Sequence, residues 1–253
     1  MRFPLAHTSL CIAVVSLLSA CNGQSGSPST SKAPREGVLR VAADAEPQSL
    51  DPQLTTGHTE HRILTSLFEG LTTLNQKTLA VEPGVAKTWE VSEDGRTYTF
   101  HVNPEAKWSD GAPVTAHDFV YSYRRILSPK LASEYSYMPW CIENAEAFNK
   151  ETIQDFTQVG VKAIDDATLE VKLAYPAPYF LSMQIHNSWF PVQQATIEKF
   201  GKIDDRQSDW ILAGNMVSNG PFKLAEWRPN EIIRVVRNEH YWDAKNLKLD
   251  EIE

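Results

Sequence analysis

Stretches with two different hydrophobic periods constrain most strongly what this chain can fold into. Residues 97–102 alternate strictly between polar and apolar side chains, which is the period of a half-buried strand. Residues 115–127 instead repeat apolar side chains every three or four positions, which is the period of a helix that buries one face. Strand patterns return at 168–173, 220–224 and 232–236. Because strands and helices follow one another in a mixed order, the sequence favours an α/β architecture over a helix bundle or a β-sandwich.

Turn and capping residues predict where these elements begin and end. A turn signal that closes with Gly95 separates residues 88–91 from the alternating strand, and this arrangement predicts a β-hairpin. Thr115 stands before the helix with Asp118 at the third helical position. This is a variant of the capping box, in which each residue satisfies a backbone N–H of the other.

The sequence also supports predictions for four individual residues. An apolar stripe predicts a helix over residues 58–69, and Gly70 is expected to cap its C-terminus. Arg124 and Arg125 form a short basic pair, which we interpret as a solvated helix face. We expect Trp242 to fill part of the core.

Charge and cysteine content exclude some classes of protein. The net charge is −8, and nucleic-acid binding needs a concentrated basic surface that this sequence lacks. Of the three cysteines, Cys11, Cys21 and Cys141, only Cys141 lies in the predicted folded body, so no intrachain disulfide framework is available there. We expect Cys141 to be a small buried hydrophobic side chain.

Residues 1–20 have the features of an export signal. A positive charge precedes an apolar run that is densest at 10–18, too short to span a bilayer comfortably, which takes about 20 apolar residues. Leu-Ser-Ala-Cys, ending at Cys21, resembles the lipobox of bacterial lipoproteins, and this resemblance implies a lipid anchor on Cys21. An ordinary cleaved signal peptide with a chance cysteine is the alternative. Residues 21–37, rich in Gly, Ser and Pro, predict a flexible tether.

Five motifs in the body of the chain point to one protein family. They are 48–52 (Gln-Ser-Leu-Asp-Pro), 67–71 (Leu-Phe-Glu-Gly-Leu), 107–122 (Lys-Trp-Ser-Asp-Gly-Ala-Pro-Val-Thr-Ala-His-Asp-Phe-Val-Tyr-Ser), 218–223 (Ser-Asn-Gly-Pro-Phe-Lys) and 237–242 (Arg-Asn-Glu-His-Tyr-Trp). In this order and spacing they resemble the extracytoplasmic peptide-binding proteins of ABC importers, which include oligopeptide- and dipeptide-binding proteins. The resemblance runs from about residue 38 to the end of the sequence.

The resemblance implies a periplasmic-binding-protein-like lobe with a mixed sheet and a small inserted α/β domain. Residues 38–68 would begin the lobe, residues 69–189 would form the inserted domain and residues 190–253 would continue the lobe. Members of the family are longer than this chain, so the resemblance also implies that the second lobe is absent from it. In the family, ligand is enclosed between two lobes by hinge closure.

The same resemblance implies a substrate-binding lipoprotein that captures peptides outside the cytoplasmic membrane and delivers them to an ABC permease. In such proteins the segment at 54–58 pairs through its backbone with the peptide, as an added strand does. Thr56, Gly57 and His58 are therefore the candidate ligand contacts here, and Tyr135 matches a pocket-lining tyrosine. No cofactor and no resident metal are implied.

Three alternatives stay open beside this reading. Relatives of the fold carry metal chelates or heme, and His58, Glu60 and His61 could cluster, although His-x-x-His spacing places two rings less favourably than an i, i+4 pair. A peptide sensor without transport would share all five motifs. An enzyme has the least support, because the sequence has no nucleophile elbow, no phosphate loop and no supported Cys–His pair.

Overall fold

The computed structural model describes residues 37–253. The expected signal peptide (1–20), Cys21 and the predicted tether up to residue 36 therefore lie outside the described residues. Within residues 37–253, no helix combines the length and the apolar character needed to cross a membrane.

Short helices and strands follow one another in the mixed order that the sequence predicts. In chain order they are β1 (Val38–Leu39), α1 (His58–Leu67), β2 (Thr72–Leu74), β3 (Val81–Pro83), β4 (Ala86–Val91), β5 (Thr97–Val102), α2 (Ala116–Ile126), α3 (Ala145–Asn149), β6 (Val161–Ala163), β7 (Thr168–Lys172), α4 (Phe180–Met183), α5 (Gln194–Phe200), β8 (Phe222–Arg228), β9 (Ile232–Arg237) and β10 (Glu251–Ile252).

Two four-stranded sheets and one hairpin organise the strands of residues 37–253. The first sheet has the order β1-β10-β9-β8, in which β1 and β10 are parallel and the other neighbours are antiparallel. It therefore joins the beginning of the described chain to its end. The second sheet, β4-β5-β7-β6, is antiparallel throughout, and β2 pairs only with β3 in the described part of the chain. The combination of helices with a mixed first sheet confirms the predicted α/β class.

The second sheet buries the face that the sequence alternation predicts. Tyr98, Phe100 and Val102 of β5 are buried, whereas the residues between them are partly exposed. Phe180 of α4 packs on this face, with its ring centroid 4.8 Å from that of Tyr98. Gly95, in the turn before β5, has a φ of +66°, a left-handed conformation that glycine adopts without steric cost. The predicted β4–β5 hairpin is confirmed.

Helix α2 begins with the predicted capping box. The Thr115 N–H donates to Asp118 Oδ2 at 2.8 Å, and the Thr115 side chain accepts the N–H of Asp118 in return. Phe119, Tyr123 and Leu127 are fully buried, and the helix packs against β6 and β7 of the second sheet. The helix therefore uses the apolar face that its hydrophobic period predicts.

Two single-residue predictions are wrong because of contacts between residues distant in sequence. Helix α1 ends before Phe68, which is extended, so Gly70 is not its cap. A Cβ at Gly70 would lie 2.2 Å from the Gln184 carbonyl oxygen, so glycine is needed there for a close approach of two backbones. Trp242 is only partly exposed but does not fill the core; its Nε1–H donates to Glu69 Oε2 at 2.7 Å.

Cys141 is buried, as predicted. Burial raises the pKa of its thiol to about 11, so the side chain stays protonated at neutral pH and packs as a small hydrophobic group.

Residues 37–253 belong to one compact unit. The predicted boundaries inside it, which divide the chain into 38–68, 69–189 and 190–253, stay a prediction.

Candidate functional site

Residues 54–58, which we call the edge segment, lie along a cleft with a volume of about 520 Å³. The segment leads directly into α1, whose N-cap is Gly57. Thr56, Gly57 and His58 all line the cleft, and the side chains of Thr56 and His58 are exposed. The three predicted contacts on this segment are thus brought together on one wall.

The backbone of the edge segment is held at its ends and open in its middle. The Leu54 N–H donates to the Asp51 carbonyl oxygen at 3.1 Å, and the Gly57 carbonyl oxygen accepts an N–H of α1 at 3.1 Å. Within residues 37–253, neither the N–H nor the C=O of Thr55 or Thr56 has a hydrogen-bonding partner. Thr55 is only 5% exposed whereas Thr56 is exposed, so an extended ligand can reach this unpaired backbone at Thr56, as it would the groups along a sheet edge.

A buried ion pair fixes the residues just before the edge segment. Arg125 of α2 has no exposed side-chain surface, and its guanidinium donates to both carboxylate oxygens of Asp51, at 3.0 and 2.6 Å. It also donates to Gln53 Oε1 at 2.8 Å, while the Ser133 hydroxyl donates to the Gln53 carbonyl oxygen at 2.6 Å. The predicted solvated face is therefore wrong for Arg125, because a carboxylate 74 residues earlier in the chain supplies its buried partner, although Arg124 is exposed.

Asn187 holds the edge segment from another side. Its Nδ2 donates to the Pro52 carbonyl oxygen at 2.7 Å and to Thr55 Oγ1 at 3.4 Å, and its Oδ1 lies 3.0 Å from His61 Nδ1. These partners precede Asn187 by 126 to 135 residues, and no local sequence pattern marks the residue. Sequence reasoning therefore missed it.

Tyr135 lies in an aromatic cluster beside this network and is not among the residues that line the cleft. Its ring meets His186 edge-on at a centroid distance of 4.8 Å, and Tyr137 at 6.1 Å. His61 stacks on His186 at 5.7 Å. Burial, followed by the neighbouring His61, lowers the pKa of His186 to about 4, so this imidazole is neutral at neutral pH. The predicted ligand contact of Tyr135 stays a prediction.

The cleft carries more acidic than basic side chains. Asp44, Glu46, Glu60 and Glu134 line it together with Arg206. Arg206 Nη1 donates to two backbone carbonyl oxygens, so part of its donor capacity is already used within the protein. The field in the cleft therefore favours cationic over anionic ligand groups.

The three side chains of the metal hypothesis lie in three different environments. Glu60 Oε1 accepts the Gln48 N–H at 2.9 Å, His61 faces Asn187, and His58 is exposed. Among the described residues, no three His, Cys, Asp or Glu side chains are arranged to hold a metal ion. The geometry gives the metal hypothesis no support in this part of the chain.

A comparison with protein families identifies the family of this chain. A family model described as "Bacterial extracellular solute-binding proteins, family 5 Middle" matches residues 80–253. This chain belongs to that family. The family consists of binding proteins and not of enzymes, so the prediction of a non-enzyme holds at the level of the family.

Relatives within this solute-binding family extend the match over most of the chain. The dipeptide-binding protein DppE of Bacillus subtilis is 38% identical over 231 residues, which cover 91% of this chain and 41% of the relative. The substrate-binding domain of an oligopeptide ABC transporter from Bacillus anthracis superposes with a TM-score of 0.81 at 37% identity, over 87% of this chain and 41% of that one. Haemophilus influenzae OppA in complex with RPPGFSPFR gives a TM-score of 0.80 at 37% identity, over 87% and 42%. The chain spans about 40% of the length of these relatives.

These matches confirm the predicted family resemblance and the predicted fold class. In this solute-binding protein, the sequence predicted the edge segment as a candidate ligand contact but did not predict the side chains that fix its flanking residues. One signal was present in the motif at 48–52, because an acidic residue such as Asp51, enclosed by apolar neighbours, requires a buried partner. The sequence did not show that Arg125 is this partner.

Proposed function

We propose that this chain supplies the peptide-gripping surface of a substrate-binding lipoprotein, which captures peptides outside the cytoplasmic membrane and delivers them to an ABC permease. The observation that carries the proposal is the exposed, unpaired backbone of Thr56 in a segment whose flanking residues are fixed. Relatives described as dipeptide- and oligopeptide-binding proteins support it, as does one solved with a bound peptide.

In this proposal an extended peptide lies along the edge segment and exchanges backbone hydrogen bonds with Thr56. Backbone contacts are the same for every peptide sequence, so the site accepts many sequences. The segment is held before the ligand arrives, which reduces the entropy lost on binding. The acidic cleft then favours peptides with Lys or Arg side chains over those with acidic side chains.

The proposal is tested by calorimetric titration of the native protein with short peptides. Peptides of unrelated sequence should bind, and a series that is N-methylated at successive positions should show a sharp loss at the residue that faces Thr56. N-methylation removes one donor and leaves the side chain unchanged. Binding that ignores N-methylation at every position would contradict backbone pairing.

A pair of variants examines the same contact from the protein side. Thr56→Pro removes a backbone N–H that has no partner within residues 37–253, so it should weaken peptide binding without breaking an internal hydrogen bond there. Thr56→Ala keeps the N–H and is the matched control, with affinity close to that of the wild type. Equal affinities for both variants would argue against this position as the contact.

Lipid anchoring through Cys21 has its own test. The intact mass of protein extracted from its native membranes should include diacylglyceryl and acyl groups on a chain that begins at Cys21. Cys21→Ser should release the protein from the membrane fraction. Membrane retention of this variant would rule out the anchor while leaving peptide capture unaffected.

A further inference from the structure

One guanidinium makes a concentrated set of contacts next to the proposed peptide edge. Arg125 donates three hydrogen bonds of 2.6 to 3.0 Å, and all three end on Asp51 and Gln53. The acceptors precede Arg125 by 72 to 74 residues, so these contacts tie helix α2 to the loop that becomes the edge segment.

Other buried groups act on the same three residues, 51–53. Gln53 Nε2 donates to the Ser122 carbonyl oxygen at 2.8 Å, and the Ser133 hydroxyl donates to the Gln53 carbonyl oxygen at 2.6 Å. Asn187 Nδ2 donates to the Pro52 carbonyl oxygen. Side chains and backbone groups from separate parts of the chain thus fix residues 51–53, which lie just before the unpaired backbone of the edge segment.

The arrangement is not one that stability alone would select. Removing two charges from water is costly, and replacing a buried ion pair by apolar side chains of similar volume is often neutral for stability or better. Arg125 Nε–H is buried without a partner within residues 37–253, which adds to the cost. The pair does provide a defined orientation. A guanidinium binds a carboxylate through two parallel hydrogen bonds, which fix both the distance between the two groups and their relative plane. The Trp210 ring, 5.8 Å from Arg125 Cζ, restricts the guanidinium further.

We infer that Arg125 is a positioning residue for ligand capture. It holds residues 51–53 from helix α2 and thereby fixes the direction of the exposed backbone N–H and C=O groups of Thr56. This inference rests on the proposed function. In this inference Arg125, whose side chain has no exposed surface, orients a backbone edge that binds peptides without contacting their side chains.

Arg125→Lys in the native full-length protein is the primary test, with calorimetric affinities for several peptides of unrelated sequence. Lysine keeps the positive charge opposite Asp51 but cannot form the bidentate fork. All peptides should lose affinity by a similar factor, about tenfold to a hundredfold, equivalent to the loss of one or two backbone hydrogen bonds. Arg124→Met is the matched control, because it removes an exposed charge one residue away and should leave every affinity unchanged.

N-methylated peptides separate positioning from a general loss of structure. For the peptide methylated where it faces Thr56, the Arg125→Lys change should have little further effect, since the bond that it weakens is already absent. Hydrogen exchange measured by mass spectrometry should also become faster in the fragment that covers residues 51–57, and remain unchanged in β5. Ser133→Ala, which removes one bond to the Gln53 carbonyl oxygen, should give the same pattern with a smaller loss and serves if Arg125→Lys does not fold.

Two results would overturn the inference. One is a folded Arg125→Lys or Ser133→Ala protein whose peptide affinities stay within twofold of the wild type. The other is a loss of equal size for normal and N-methylated peptides, which would assign Arg125 a structural role only. Failure of the proposed function looks different: the wild type itself would bind no peptide, or would bind normal and N-methylated peptides equally well, before any variant is made.

Discussion

Two carboxylates in this protein are stabilised in different ways. Asp51 is 2% exposed and faces the fully buried guanidinium of Arg125. Glu69 is partly exposed, and its two oxygens accept hydrogen bonds from neutral donors, the Tyr241 hydroxyl at 2.6 Å and the Trp242 Nε1–H at 2.7 Å. A cation therefore stabilises Asp51, whereas neutral hydrogen-bond donors stabilise Glu69.

The surroundings of Glu69 make this carboxylate sensitive to pH. Burial is the largest influence on Glu69 and raises its pKa to about 7, the hydrogen bonds from Tyr241 and Trp242 lower it in part, and the nearby Asp243 raises it. Glu69 therefore changes protonation close to neutral pH. Stability near pH 7 should therefore depend on Glu69.

The largest expected effect comes from removing the cation beside Asp51. Arg125→Met leaves a buried carboxylate without its partner and should lower the free energy of unfolding by about 3–5 kcal/mol. Denaturant unfolding followed by tryptophan fluorescence measures this change. Arg124→Met, on the exposed side of the same helix, should change it by less than about 0.5 kcal/mol. Equal effects of the two substitutions would show that the buried pair has no special role.

The next effect is a pH dependence that Glu69 should control. Because the pKa of Glu69 is higher in the folded than in the unfolded chain, the folded state binds more protons between the two values. Stability should therefore fall as pH rises from the ordinary value of 4.5 to about 7. Glu69→Gln should flatten this part of the profile and raise stability above pH 7, by about 1–3 kcal/mol. An unchanged profile in the variant would assign the pH dependence to another group.

A smaller change sharpens the role of the neutral donors. Tyr241→Phe removes a hydrogen bond that lowers the pKa of Glu69, so the fall in stability should extend to higher pH. The cost at pH 8 should be about 1.5 kcal/mol, the lower end of the range for one hydrogen bond to a charged group. The same pH-resolved unfolding series measures it, with Glu69→Gln/Tyr241→Phe as the background in which the shift should vanish.

The smallest effect is expected at an exposed carboxylate of the cleft. Glu134→Gln should leave the free energy of unfolding within about 0.5 kcal/mol of the wild type. It should modestly weaken the binding of Lys- and Arg-containing peptides, more at low than at high salt. A large loss of stability would show that Glu134 has a structural partner.

Sequence reasoning succeeded where neighbours in the chain determine the structure. The alternation at 97–102 and the Thr115–Asp118 capping box depend on residues a few positions apart, and both are present as predicted. The five motifs likewise predicted the family, which the comparison confirms.

It failed where a partner is distant in sequence. Arg125 looks like half of a basic surface pair until Asp51, 74 residues away, is placed beside it. Trp242 looks like a core residue until Glu69, 173 residues away, accepts its N–H. Periodicity carries no information about such pairs, since each member fits its own helix or loop equally well without the other.

Hydrogen exchange at the edge segment tests the central claim most directly. The amide of Thr56 has no partner within residues 37–253 and the residue is exposed, so this amide should exchange rapidly in the ligand-free native protein. Saturating peptide should slow its exchange, whereas a peptide N-methylated at the facing residue should protect it far less. A Thr56 amide that stays equally fast with a bound peptide would contradict the claim that peptides are captured by pairing with this backbone.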